Sequence, residues 1–125
     1  MEGNRDPLTE QIIGAAIEVH RAVGPGLLES IYEECMCREL AIQELSFQRQ
    51  VPVPLIYKGV RLENPLRMDL VVEDQVVLEL KAVDKLSGLH EAQLLSYLKL
   101  AGKRRGLLMN FNSERLVDGV KRMVL

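Results

Sequence analysis

Leu66-Arg67-Met68-Asp69-Leu70-Val71-Val72-Glu73-Asp74-Gln75-Val76-Val77-Leu78-Glu79-Leu80-Lys81-Ala82-Val83 is the stretch whose reading decides the fold. It divides into two β-rich runs, 66–72 and 76–83, around the polar trio Glu73-Asp74-Gln75. The second run is apolar at most positions on both faces, the pattern of a strand inside a sheet. Glu79 and Lys81 interrupt it at i and i+2, so both project from one face. Neither charge can be buried without a partner, an ion or water, because desolvation alone costs several kcal/mol. Asp69 interrupts the first run in the same way. If Val72 pairs with Val76 around a three-residue loop, Asp69 lies opposite Glu79. A two-residue turn would instead set Asp69 against Leu80 and separate the two carboxylates.

Outward from this pair, residues 8–23 carry Ile12, Ile13, Ala16, Ile17, His20 and Val23 at helical spacing, and Gly24-Pro25-Gly26 stops them. A second helix is expected over about 27–42, with Leu28, Ile31, Tyr32, Cys35 and Leu40 inward and Glu33, Glu34 and Arg38 outward. Residues 51–57 and 60–62 then read as a hairpin joined by Lys58-Gly59. Downstream of the central strand, Ser87 and Gly88 open a helix running to about Leu100, and Gly102 closes it. A strand over 106–111 follows, then a short segment ending at 120–125. This order predicts an α/β (α+β) fold, a mixed sheet flanked by helices.

The 125 residues, 47% hydrophobic, suit one domain over 1–125 with a core that needs no disulfide. No apolar run approaches the roughly 18 residues of a membrane helix, and the N-terminus lacks a signal peptide, so a cytoplasmic chain with reduced Cys35 and Cys37 is expected. Net charge is −2, but it is uneven. Residues 1–80 hold 7 Lys/Arg against 14 Asp/Glu, a balance of −7, and residues 81–125 hold 9 against 4, a balance of +5. The basic end, with Lys99, Lys103, Arg104 and Arg105, is either a phosphate-binding surface beside an acidic pocket or an ordinary solvated face.

Two adjacent carboxylates, Asp69 and Glu79, are suited to ligating Mg²⁺ or Mn²⁺, hard cations that prefer oxygen donors. Lys81 beside them is placed to orient water and to stabilise charge growing on a phosphodiester. The pattern Asp-x9-Glu-x-Lys is weak by itself, since a half-exposed strand with solvated charges gives the same letters. The next helix adds His90, Gln93 and Tyr97 on the face that carries Leu94 and Leu98, an inward polar set suited to a second wall of the site. Glu29 and Tyr32 share a side of the second helix. Glu29 there serves either a metal or simply the helix dipole, worth about 0.3–1 kcal/mol.

These residues resemble the GxxExxY family, whose name spells Gly26, Glu29 and Tyr32. The likeness extends through 24–34, Arg49-Gln50-Val51-Pro52, Tyr57-Lys58-Gly59, the Asp69 strand, 77–83 and 90–98. The family is placed in the PD-(D/E)xK nuclease superfamily, which implies a restriction-endonuclease-like fold and metal-dependent phosphodiester hydrolysis without fixing the substrate; DNA is expected before RNA. By motif position it implies metal carboxylates at Asp69 and Glu79, the motif lysine at Lys81 and the helical acidic residue at Glu29. Gln93 and Tyr97 resemble the Gln-x-x-x-Tyr motif of RecB-type nucleases. Met68 stands where the motif usually has proline. The rival reading is a non-catalytic nucleic-acid- or protein-binding module that keeps the fold. Monomer and homodimer both stay open. A zinc site is rejected, because the thiols of Cys35 and Cys37 point about 200° apart on a helix and no histidine has the right spacing. No phosphate loop is present, since Gly24-Pro25-Gly26 lacks the required Lys and Ser/Thr.

Overall fold

In the computed structural model, residues 6–125 are described. Asp6 starts the first helix: its carboxylate accepts hydrogen bonds from the Thr9 amide (2.9 Å) and hydroxyl (2.7 Å), and Pro7 follows where a missing N–H costs nothing. Helix α1 spans Pro7–Val23 and helix α2 Glu29–Ile42. Then come β1 (Phe47–Pro52), the short arms β2 (Ile56–Tyr57) and β3 (Val60–Arg61), β4 (Arg67–Val72) and β5 (Val76–Lys81). Helix α3 (Gly88–Ala101), β6 (Arg105–Asn110), a 3-10 turn at Leu116–Gly119 and β7 (Val120–Val124) complete the order.

The five-stranded sheet runs β1-β4-β5-β6-β7, with β5 and β6 parallel and every other neighbour antiparallel. The parallel pair requires a crossover, which α3 supplies. Ser87 caps that helix, and Gly102 ends it in the left-handed region at φ 68°. Gly106 lets Leu94 of α3 press onto β6, since a Cβ there would meet the Leu94 methyls at 3.1 Å. One face of the sheet packs Leu70, Val72, Leu78 and Leu80 against α1 and α2. The other packs Val71, Val77 and Leu108 against Leu94, Tyr97 and Leu98 of α3. This is the expected mixed sheet flanked by helices, with β5 buried at its centre.

Three expectations change. The run 51–57 is not one strand: pairing begins at Phe47, and Pro52 and Pro54, lacking amide hydrogens, end the ladder. The C-terminal segment is a strand paired with β6. Helix α2 is rotated from the expected setting, burying Tyr32, Glu33, Met36, Cys37 and Leu40 while Leu28 and Ile31 stay exposed. The reason is Glu33. Its carboxylate goes inward because Arg49 (3.0 Å) and the Gln50 side-chain Nε2 (2.8 Å) donate to it there, a tertiary pairing that no helical periodicity encodes.

Candidate active site

Val72 pairs with Val76, and the pairs Val71–Val77 and Leu70–Leu78 follow. Glu73 and Asp74 take positive φ of 53° and 56° to close the loop. The next step in this register brings Asp69 to Glu79, and there the ordinary ladder gives way to side chains. The Asp69 amide donates to Glu79 Oε2 at 3.0 Å, and the Leu80 amide donates to Asp69 Oδ2 at 2.8 Å. Each carboxylate therefore accepts from an amide of the opposite strand, as a backbone carbonyl of its own strand otherwise would, which fixes both side chains between β4 and β5. Among the described residues no donor meets Asp69 Oδ1 or Glu79 Oε1.

The electrostatics follow from burial. Glu79 is 4% exposed. Desolvation first, and then the Asp69 carboxylate, push its carboxyl up to about 8, against the downward pull of the Asp69 amide and Lys81. Burial also raises Asp69, opposed by the Leu80 amide and Lys81, while Glu33 and Glu29 add to the rise. The side chain of Lys81, half-buried at the end of β5, makes no hydrogen bond or ion pair at contact distance with any described residue. Tyr97 is buried, and its phenol is pushed up by desolvation and then by Glu79 and Asp69, so α3 brings it within their field.

The Gly26, Glu29, Tyr32 spacing has a local cause. Gly26 turns at φ 95°, and the buried Tyr32 clasps that turn: its hydroxyl donates to the Gly24 carbonyl (2.6 Å) and accepts from the Leu27 amide (3.1 Å). Its ring stacks on Phe111, centroids 4.6 Å apart. So held, the start of α2 presents Glu29 to the far end of β5, where it accepts from the Ala82 amide at 3.4 Å. Met68, at the position where proline is more usual, is 2% exposed in the core beneath α3.

The sequence profile of the PD-(D/E)XK nuclease superfamily matches residues 6–123. The chain belongs to that superfamily. No curated protein and no solved structure matches it. For a PD-(D/E)XK nuclease, the oxygen-only pair Asp69 and Glu79, desolvated and mutually repulsive with one oxygen of each unclaimed, fits a hard divalent cation. Among the described residues, no three His, Cys, Asp or Glu side chains gather as a ready-made metal cluster. Glu29 is thus not assembled with the other two as a third ligand. It is exposed and held at Ala82.

Two members of the expected inner wall are also set differently. His90 is not aimed at the carboxylates; its Nδ1 accepts from the Ser87 amide (3.1 Å) and completes the cap of α3. Gln93 is exposed, one turn before Tyr97. The basic stretch does not border the acidic pair either. Lys103 binds Asp74 in the β4–β5 turn (2.7 Å), and Arg105 opens β6, so these cations sit at the opposite end of β5 from Lys81. A parallel crossover forces this, because α3 must run back along the sheet before β6 begins.

Sequence reasoning missed Glu33, Arg49 and Gln50. Gln50, at φ 49°, occupies the β1 position between Arg49, which pairs with Leu70, and Val51, which pairs with Met68. It is therefore across from Asp69, in a conformation a non-glycine residue seldom adopts. Nothing in its sequence neighbourhood signals that turn of the backbone.

Proposed function

We propose that the chain is a divalent-metal-dependent nuclease that hydrolyses phosphodiester bonds in nucleic acid, DNA before RNA, at the Asp69–Glu79 pair. The observation that carries this reading is the pair itself: two carboxylates locked between β4 and β5, desolvated, with a lysine of free contact beside them. Asp69 and Glu79 hold Mg²⁺ or Mn²⁺, and Glu29 contributes a third negative charge from α2. When bound, the cation supplies Lewis-acid polarisation of the scissile phosphate. Lys81 orients the attacking water and meets the charge growing on the non-bridging oxygens. The water oxygen bonds to phosphorus, the bond to the leaving sugar oxygen breaks, and that oxygen takes up a proton. Tyr97 flanks the pair from α3, and the exposed Gln93 meets the substrate from the same helix. The whole of 1–125 acts as one such unit within the cytoplasm.

The test is incubation of the purified protein with single-stranded DNA, duplex DNA and RNA in Mn²⁺, Mg²⁺ or EDTA. Cleavage should require the cation and vanish in Glu79→Gln. Cleavage that persists in EDTA overturns the mechanism, and a gel shift with no cleavage under any condition identifies a binding module instead.

A further inference from the structure

The β2–β3 hairpin has no account in the fold. Its base is well anchored: Val53 is 2% exposed in the core under α3, the Val53 amide donates to the Leu66 carbonyl (3.2 Å), and the Leu62 amide donates to Leu55 (2.8 Å). The Asn64 side chain ties the arms together, donating to the Val53 carbonyl (3.1 Å) and accepting from the Leu66 amide (2.9 Å). Above that base the chain buries almost nothing. Ile56, Tyr57 and Val60 are each about three-fifths exposed, at 61%, 60% and 59%. Lys58 and Gly59, both at positive φ, form the tight two-residue turn. A two-stranded ribbon is marginal alone, and an apolar tip on a built base points to an external partner.

Charge and location select that partner. In the acidic first 80 residues, the short span from Tyr57 to Arg67 holds three of the seven cations, Lys58, Arg61 and Arg67, against the single acid Glu63. Lys58 lies over the Tyr57 ring at 5.4 Å, and among the described residues the Arg67 side chain hydrogen-bonds only the Asn64 and Leu66 carbonyls. None of the three makes an ion pair among the described residues. The hairpin leaves the sheet where Pro52 of β1 pairs with Arg67 of β4, two residues before Asp69 and at the same end of the sheet as Lys81. An exposed aromatic flanked by unpaired cations, next to the carboxylate pair, suits a polyanion whose bases can stack. A purely apolar protein surface would leave those cations unmatched.

We propose that this hairpin is the substrate-gripping element of the site, with Tyr57 stacking on an unpaired base and Lys58, Arg61 and Arg67 holding the flanking phosphates. The inference rests on the nuclease reading and adds a preference for single-stranded or frayed nucleic acid, because a base must be out of the duplex to stack. The experiment measures anisotropy of a labelled single-stranded oligonucleotide and of a blunt duplex, in EDTA, with the full chain and three variants. Tyr57→Ala should weaken single-strand binding roughly tenfold, while Tyr57→Phe keeps it. The double variant Lys58→Ala/Arg61→Ala should lower the slope of log affinity for the single strand against log salt by about 1.4. Melting curves should be unmoved in all three, because the side chains are exposed. If the wild type cleaves with Mn²⁺ but the variants bind like wild type, the hairpin proposal falls and the nuclease reading stands. A wild type that neither cleaves nor binds removes both. Variants that keep oligonucleotide affinity but lose binding to phosphatidylglycerol vesicles assign the tip to a lipid surface and overturn the proposal.

Discussion

The two ends of the central strands treat carboxylates in opposite ways. Where β6 begins, Asp6 accepts from Thr9 and faces Arg105 at 2.7 Å; burial tends to raise its carboxyl, but these bonds outweigh burial and hold it at about 2. Nearby, Lys103 pairs with Asp74 and Arg122 with Glu10. At the other end, Asp69 and Glu79 share a desolvated space with no cation of the described residues at contact distance, and Glu79 rises to about 8. One end spends its charges on stability. The other keeps a repulsion that only a proton on Glu79 relieves, and a structural ion pair would remove it.

The largest expected effect breaks the contrast at the Asp69–Glu79 end. Glu79→Gln should lower metal-dependent cleavage by about a thousandfold or more, since it removes a ligand charge. The same substitution should stabilise the ion-free fold in a pH-dependent way. The sign is set by the raised folded-state value: below about pH 4.3 Glu79 is protonated whether folded or unfolded, and as pH rises toward about 8 the wild type loses stability that the glutamine variant keeps. In EDTA at pH 9 the variant should lead by at most roughly 3–5 kcal/mol, and the gap should close near pH 4. Melting curves at the two pH values measure it, and a less stable variant at pH 9 would mean that Glu79 is a structural partner of a cation.

A second effect sharpens the same contrast by adding the missing charge. Excess Mn²⁺, at about a hundred times its dissociation constant, should stabilise the wild type by about 2.7 kcal/mol and leave Asp69→Asn and Glu79→Gln nearly unmoved. Equal shifts in all three would place the ion elsewhere.

At the stabilising end the expected losses are smaller. Asp6→Ala removes a helix cap and an ion pair, and should cost about 1–2 kcal/mol with cleavage intact. Because the folded value is depressed, the contribution is present above about pH 4 and is lost as pH falls through about 2, so wild type and variant should converge in acid. A pH-independent difference, read from denaturant midpoints between pH 2 and 7, would contradict the assignment. Smallest of all should be Lys103→Ala. Its partner Asp74 is 85% exposed, so the loss should stay below about 1 kcal/mol. Oligonucleotide affinity should scarcely change, because this cation lies at the end of β5 remote from Lys81. A tenfold loss of affinity would restore the basic stretch to the nucleic-acid interface.

The sequence by itself determined the strand pair and left its register between two settings, of which the structure takes the one that pairs Val72 with Val76. The three-residue loop Glu73-Asp74-Gln75 and the period-2 placement of charges are local facts, and a register slip of one residue would have turned every side chain of β4 to the wrong face. It also determined α3 with its Ser87 and Gly102 caps, because capping is decided within a few residues. Only the tertiary structure decided the rest. The rotation of α2 depends on Arg49 and Gln50 reaching Glu33 across the fold, and the placement of the basic stretch depends on which way the crossover helix must run. The ionisation of Glu79 likewise comes from burial and from a neighbour ten residues away in the chain, two quantities that are properties of the packed molecule and are absent from any single stretch of letters.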